Sequence, residues 1–90
     1  MIRRELVICN ELGMHARAAA RLVECANRFG SEVRVSREER KVNGKSIMGV
    51  LMLAAACGMT IAVETEGPDE EEAMNALAEL VENGFGELAT

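Results

Sequence analysis

The only histidine of the chain, His15, is flanked by residues that suit phosphoryl chemistry. Gly13 lies two positions before it, and Arg17 lies two positions after it. A helix predicted to begin at Ala16 would place His15 where unpaired N–H groups and the positive end of the helix dipole attract an anion. The same positive end disfavours a protonated imidazole, which leaves a ring nitrogen free as a nucleophile. Because the planar guanidinium of Arg17 can pair with phosphate oxygens, the pattern suits a histidine that accepts and passes on a phosphoryl group.

These residue types do not by themselves show that His15 is a nucleophile. Gly13 would let the backbone turn so that the imidazole stands clear of the chain. A lone histidine at a helix start is, however, more often a surface residue or a helix cap. Spacing alone leaves both interpretations of His15 open.

The spacing of apolar residues predicts elements in the order β-α-β-β-α-β-α. The predicted strands cover Ile2–Ile8, Glu32–Ser36, Arg40–Val42 and Thr60–Glu66, the third of them at a sheet edge. The predicted helices cover Ala16–Asn27, Ile47–Leu53 and a stretch after Asp69 that ends near Asn83. This mixture predicts an α+β fold, an antiparallel sheet with helices on one face. The pattern leaves ferredoxin-like regulatory domains and acylphosphatase-like enzymes open.

Polar residues and glycines mark the predicted ends of the helices. Ser46 is the expected N-cap of a short, buried second helix. Asp69 followed by Glu72 resembles a capping box with Asp in place of Ser or Thr. Gly30 and Gly84 are expected to end the first and last helices.

Length, composition and charge narrow the class of protein. Ninety residues with 49% apolar content predict one globular domain over residues 1–90. The longest stretch free of strongly polar residues, Ile47 to Met59, is too short to span a bilayer, and Leu6 to Cys9 is too short for a signal-peptide core. We therefore expect a cytoplasmic protein without membrane insertion. The net charge of −5 and the 2% aromatic content argue against nucleic-acid binding.

The charged residues and the cysteines are unevenly placed. All ten Lys and Arg residues fall between Arg3 and Lys45, whereas residues 46–90 hold acids and no base. This asymmetry predicts one basic face suited to an acidic partner or an anion, unless the two halves interleave in space. The three cysteines lie far apart without a C-x-x-C motif, so we expect core packing rather than a disulfide or a zinc site. They are Cys9, Cys25 and Cys57.

Three motifs and their order point to a known family. They are Gly13-Met14-His15-Ala16-Arg17-Ala18-Ala19, Lys45-Ser46-Ile47-Met48-Gly49 and Glu66-Gly67-Pro68-Asp69-Glu70-Glu71-Glu72-Ala73, followed by Asn83-Gly84-Phe85. Together they resemble HPr, the histidine-containing phosphocarrier of the bacterial phosphotransferase system. The motif around His15 resembles its active-site signature, G-[LM]-H-A-R-P-A. The motif around Ser46 is similar to its regulatory serine segment, and the motif around Asp69 is similar to the G-x-D-E-x-x-A element before its last helix.

The resemblance implies a fold, a reaction and two partners. The fold would be an open-faced α/β sandwich with four antiparallel strands and three helices on one side. Enzyme I, charged from phosphoenolpyruvate, would phosphorylate His15 on Nδ1, and the group would pass to a histidine of an enzyme II A protein. Such a protein is a carrier that does not turn over unaided and needs no metal or organic cofactor. Ala18 replaces the usual proline, but alanine also suits a first helical turn. Features of the sugar and nitrogen branches are mixed.

The resemblance also implies a docking surface and a regulatory site. Four apolar residues at helical spacing are typical of core positions, but their counterparts in HPr form a docking patch beside the histidine. They are Ala20, Ile47, Met48 and Leu51. The implied basic rim consists of Arg17, Arg21, Arg28 and Lys45, while Glu24 departs from it. Ser46 would be phosphorylated by an HPr kinase/phosphorylase in bacteria that have one, although its role as a helix cap is sufficient alone.

Two other functions fit parts of the pattern. An acylphosphatase-like hydrolase would use Arg17 to bind phosphate and would release inorganic phosphate without a partner protein. A regulatory binding module of the nitrogen branch would respond to phosphorylation of His15 or Ser46 without relaying the group. A transfer assay with enzyme I and an enzyme II A protein distinguishes these functions from a phosphocarrier.

Overall fold

A computed structural model describes residues 1–87 and contains one four-stranded sheet. The strands are β1 (Ile2–Val7), β2 (Glu32–Arg37), β3 (Arg40–Asn43) and β4 (Thr60–Glu66). The helices are α1 (Ala16–Ala26), α2 (Ile47–Met52) and α3 (Glu70–Glu82), and a 3₁₀ turn follows at Gly84–Gly86. The predicted order β-α-β-β-α-β-α is confirmed. The sequence interpretation did not include the 3₁₀ turn.

The sheet has the strand order β1-β4-β2-β3, and every neighbouring pair is antiparallel. The alternation seen in the sequence places Leu6 opposite Ile61, and Val35 opposite Val63, on the inner face. These side chains are buried because α3 packs on β1 and β4 while α1 packs against α2 and α3. The predicted antiparallel sheet with three helices on one face is confirmed, and β3 is an edge strand.

The outer face of the sheet carries an ion-pair network centred on Glu64. This carboxylate accepts hydrogen bonds or ion pairs from Lys41 at 3.0 Å and Arg34 at 3.4 Å, and Arg34 also reaches Glu66 at 2.9 Å. The hydrogen bond from Lys41 is the main reason that the pKa of Glu64 lies below its ordinary value. Basic residues of the first half of the chain thus meet acidic residues of the second half. On this face the two halves interleave, and the charge asymmetry of the sequence is largely neutralised.

Two expectations about burial are wrong. The sequence predicts a buried second helix, but Val50 is the one buried residue of α2, and Met48 is 69% exposed. The reason is that α2 has only six residues and packs through one side. The sequence predicts all three cysteines in the core, but Cys25 alone is buried, whereas Cys9 is half-buried and Cys57 is exposed. Cys57 lies in the turn after α2, where its neighbours Ala56 and Gly58 are also exposed.

The predicted capping box is also wrong. Asp69 makes no side-chain cap bond to α3. Its carboxylate instead accepts hydrogen bonds from the Ser31 hydroxyl and from the N–H groups of Gly30 and Ser31, at 2.5, 3.0 and 2.9 Å. The chain turn between α1 and β2 brings these donors within reach, so the carboxylate joins that turn to the start of α3.

We predict that Asp69→Asn lowers the thermal melting temperature at neutral pH. The hydrogen bond from Ser31 is the main cause of the lowered pKa of Asp69, so its ionised form stabilises the fold. Stability from a lowered pKa is fully present above the ordinary value of 3.8 and is lost as pH falls through the folded value. The melting curves of parent and variant should therefore converge in acid.

The matched control is Glu72→Gln, which removes the other acid of the expected capping box. Glu72 is exposed, so this change should cost only a weak interaction with the helix dipole, about 0.3–1 kcal/mol. A loss of stability from Glu72→Gln equal to that from Asp69→Asn would instead support the capping box.

Candidate functional site

His15 is the N-cap of α1, and its own ring provides the cap. Its backbone is extended, with φ −79° and ψ 179°, and its Nδ1 accepts the N–H of Arg17 at 3.2 Å. Its carbonyl accepts the N–H of Ala19 at 2.9 Å, which begins the helical pattern. The lone pair of Nδ1 therefore points at the unpaired N–H groups of the helix start. The prediction that His15 lies at the start of a helix is confirmed. Its ring also caps that helix, which is the alternative interpretation of this residue from the sequence.

Gly13 allows the loop before α1 to lie against the segment after α2. Its φ is +65°, a conformation that side chains disfavour, and a Cβ there would lie 2.7 Å from the carbonyl oxygen of Ala55. The next residue, Met14, donates its N–H to the same oxygen at 2.8 Å. The position of His15 therefore depends on a contact with a segment about forty residues away in sequence, a separation that only the tertiary fold can close.

The other nitrogen of the His15 ring contacts Glu87. The distance from Nε2 to Glu87 Oε2 is 2.6 Å, and Asn10 donates its Nδ2–H to the second carboxylate oxygen at 2.9 Å. The hydrogen bond from Asn10 is the main reason that the pKa of Glu87 is lowered, and the neighbouring His15 and Arg21 lower it further. Sequence reasoning missed Glu87 and Asn10. A separation of 72 positions gives no spacing signal, and both lie outside the motifs.

The His15 ring lies at an open cleft. It is lined by Glu11, Leu12, His15, Ala16, Arg17, Arg21, Gly86 and Glu87. The side chain of Arg17 is exposed, so its guanidinium is available to an anion in the cleft. The Arg21 guanidinium donates to the carbonyl of Phe85, which ties α1 to the 3₁₀ turn. The site therefore combines a ring nitrogen, a helix N-terminus and an exposed guanidinium, which together suit a group carrying negative charge.

The residues of the expected docking surface differ in how exposed they are. Ala20, Ile47 and Met48 are exposed, while Leu51 is half-buried against the core. They belong to α1 and α2, which pack together. The ammonium of Lys45 lies away from the cleft, because it donates to the carbonyl of Phe29 at 2.8 Å.

Ser46 is the N-cap of α2, as predicted. Its Oγ accepts the N–H of Gly49 at 3.1 Å, and the residue is half-buried. None of the helices in residues 1–87 has the length and apolar character needed to cross a membrane. Within the same residues, no group of His, Cys, Asp and Glu side chains is arranged to hold a metal ion.

Comparison with known proteins identifies the family. The family model described as the PTS HPr component phosphorylation site matches residues 2–83. A phosphocarrier protein HPr from Cupriavidus necator is 55% identical over 97% of this chain and 98% of its own length. One from Neisseria meningitidis is 51% identical over the same shares. The crystal structure of an HPr from Thermoanaerobacter tengcongensis superposes with a TM-score of 0.93 at 44% identity, covering 97% of this chain and 98% of that one.

These matches cover almost the whole chain. They define the class of protein, which is a small open-faced α/β phosphocarrier. The chain belongs to the HPr family of the phosphotransferase system. The resemblance drawn from its motifs and the phosphocarrier function drawn from that resemblance are confirmed. The alternatives of a hydrolase or a regulatory module alone are not favoured.

We predict that Gly13→Ala destabilises the fold by at least about 2 kcal/mol, from left-handed backbone strain and the close contact with Ala55. Urea unfolding measures the loss. Gly30→Ala is the matched control, because nothing lies within 4 Å of a Cβ there. It should change stability by less than about 0.5 kcal/mol. Equal stability of the two variants would show that the loop before α1 does not need glycine.

Proposed function

We propose that His15 is the phosphoryl acceptor, that phosphorylated enzyme I is its donor, and that an enzyme II A protein receives the group. The proposal includes residues 1–90 acting as one cytoplasmic phosphocarrier domain that does not turn over unaided and uses no cofactor. The single observation that carries it is the contact between Nδ1 and the N–H of Arg17. This contact aims the nucleophilic lone pair at the place where a helix terminus best holds a phosphoryl group.

The same contact suggests how the site changes on phosphorylation. A phosphorus atom bonded to Nδ1 occupies the lone pair that now accepts the Arg17 N–H. The N–H is then released to donate to a phosphoryl oxygen, so the helix exchanges one acceptor for another. The exposed Arg17 guanidinium can pair with a second oxygen, which adds a charge-assisted hydrogen bond. The cleft is open. An open cleft is needed because the phosphoryl group must pass from one protein partner to another.

We propose that partners dock on the apolar surface of α1 and α2. Its members are Ala20, Ile47, Met48 and Leu51, with Arg21 and Lys45 as the basic residues beside it. Met48 is 69% exposed and Ile47 is 43% exposed, so both large apolar side chains face water unless a partner covers them. Methionine adapts to more than one partner shape, which suits a carrier with a donor and an acceptor.

We predict that His15→Ala takes up no phosphate from enzyme I and phosphoenolpyruvate, and that Arg17→Ala takes it up about ten to a hundred times more slowly. The second figure corresponds to the loss of one charge-assisted hydrogen bond, about 1.5–3 kcal/mol. Uptake of acid-labile, base-stable label over time measures both variants. Delivery to an enzyme II A protein completes the assay.

Thermal melting of each variant provides the control. Arg17 is exposed, so Arg17→Ala should melt within a few degrees of the parent. Full labelling of His15→Ala would refute the proposed acceptor. An unchanged transfer rate with a large fall in melting temperature would make Arg17 a structural residue.

We propose further that a negative charge at Ser46 weakens docking of enzyme I, whose contact surface is expected to be acidic. We predict that Ser46→Asp raises the apparent Michaelis constant for enzyme I while leaving the fold stable, because an acid is favourable at a helix N-terminus. The effect should shrink as added salt screens the charge. Kinetics at low and high salt measure both trends.

Ser46→Ala separates the cap from the charge. It removes the Oγ that accepts the Gly49 N–H, so it should cost about 1 kcal/mol of stability and leave transfer nearly intact. If Ser46→Asp accepts phosphate as well as the parent at low salt, Ser46 is only a cap and the regulatory role by an HPr kinase/phosphorylase fails.

A further inference from the structure

The His15 ring is held at both nitrogens, and the two contacts have different requirements. The N–H of Arg17 donates to Nδ1 at 3.2 Å, so Nδ1 must present a lone pair there. An ionised carboxylate only accepts, so the 2.6 Å contact to Glu87 requires a proton on Nε2. Together the two contacts specify the neutral tautomer with hydrogen on Nε2, because the contact to Glu87 fixes the proton and the contact to Arg17 needs the lone pair. We propose that Glu87 is a positioning residue for phosphoryl transfer, because it holds His15 in the tautomer whose Nδ1 is the nucleophile.

Glu87 is itself held in place by the loop that carries His15. Asn10 is fully buried and donates its Nδ2–H groups to Glu87 Oε1 at 2.9 Å and to the carbonyl of Gly13 at 2.8 Å. One amide therefore links the carboxylate to the backbone two residues before the nucleophile. The bond from Asn10 also lowers the pKa of Glu87, so the carboxylate is ionised at neutral pH and can only accept.

The 3₁₀ turn brings Glu87 to the ring. Gly84, Phe85 and Gly86 all have positive φ, at 67°, 57° and 79°, which reverses the chain after α3. Phe85 is completely buried, so core packing offsets the strain of its left-handed backbone. The Arg21 guanidinium donates to the Phe85 carbonyl and fixes the turn to α1. A strained turn secured at two points orients Glu87 with more precision than a free loop would.

The inference rests on the proposed role of His15 as phosphoryl acceptor, and the transfer step balances without moving a proton. The Nδ1 lone pair attacks the phosphorus of a phosphorylated imidazole on the donor. The donor P–N bond breaks, and its electron pair remains on the donor nitrogen. The His15 ring then carries phosphorus on Nδ1 and hydrogen on Nε2, and its positive charge lies beside the Glu87 carboxylate. On delivery to the acceptor, the P–N electron pair returns to Nδ1 and the original tautomer is restored.

The test combines a tautomer measurement with a transfer rate. Long-range proton–nitrogen spectra of protein labelled with nitrogen-15 histidine report which ring nitrogen carries hydrogen. Uptake of label from phosphorylated enzyme I gives the rate. The variants are Glu87→Ala, Glu87→Gln and the matched control Glu79→Ala, which removes an equal charge at an exposed position of α3 outside the cleft.

The parent and Glu79→Ala should show hydrogen on Nε2 and similar rates. Glu87→Ala should show a mixture of tautomers and a rate about tenfold lower, the value of one lost charge-assisted hydrogen bond. Glu87→Gln keeps an amide oxygen that can accept from Nε2–H, so it should restore the tautomer and part of the rate. Thermal melting of each variant checks that it is folded at the temperature of the assay, because Glu87→Ala also removes one acceptor of the buried Asn10 amide.

An unchanged tautomer in Glu87→Ala, or a rate equal to or above that of the parent, overturns the inference. His15→Ala, assayed in parallel, separates the two proposals. If His15→Ala is inactive while Glu87→Ala behaves as the parent does, the proposed acceptor stands and the positioning role fails. If His15→Ala is labelled fully, the proposed acceptor itself is wrong.

Discussion

The hydrogen bond from the Arg17 N–H to His15 Nδ1 is the contact on which the site depends. Through this hydrogen bond, the ring of the proposed nucleophile caps α1 in the unphosphorylated protein. The ring cannot turn freely, and its lone pair faces the helix terminus. The surrounding features serve this contact: Gly13 allows the loop to approach Ala55, and Asn10 holds the loop and Glu87 together. A site of this kind needs few residues, because a helix start supplies much of the electrostatics.

The caps of α1 and α2 are related in a way that bears on regulation. His15 caps the first helix and Ser46 caps the second, and the two helices pack against each other. Both proposed phosphorylation sites are therefore helix N-caps. A phosphate at either position meets a favourable helix terminus, so neither modification should unfold the protein. The proposed effect of the second phosphate falls instead on the surface between the helices, where apolar residues such as Met48 are exposed.

The two faces of the molecule differ in how their basic residues are paired. On the outer face of the sheet, Arg34 and Lys41 pair with Glu64, and Arg34 also pairs with Glu66, so acidic residues neutralise these bases. On the helical side, Arg17 remains exposed at the cleft. A net acidic protein can thus present a basic group where an anion must bind, because most of its other bases are paired locally.

The sequence by itself determined the order of the elements, the antiparallel sheet, the start of α1 at Ala16 and the family. These depend on local periodicity, on caps and on short motifs, which a linear pattern carries directly. The tertiary structure alone decided that Asp69 binds the turn at Ser31 rather than capping α3, and that Cys57 is exposed. It also decided that Glu87 meets the imidazole of His15. Such contacts join residues far apart in the chain, and their geometry is set by how helices and turns pack, which no spacing in the sequence encodes.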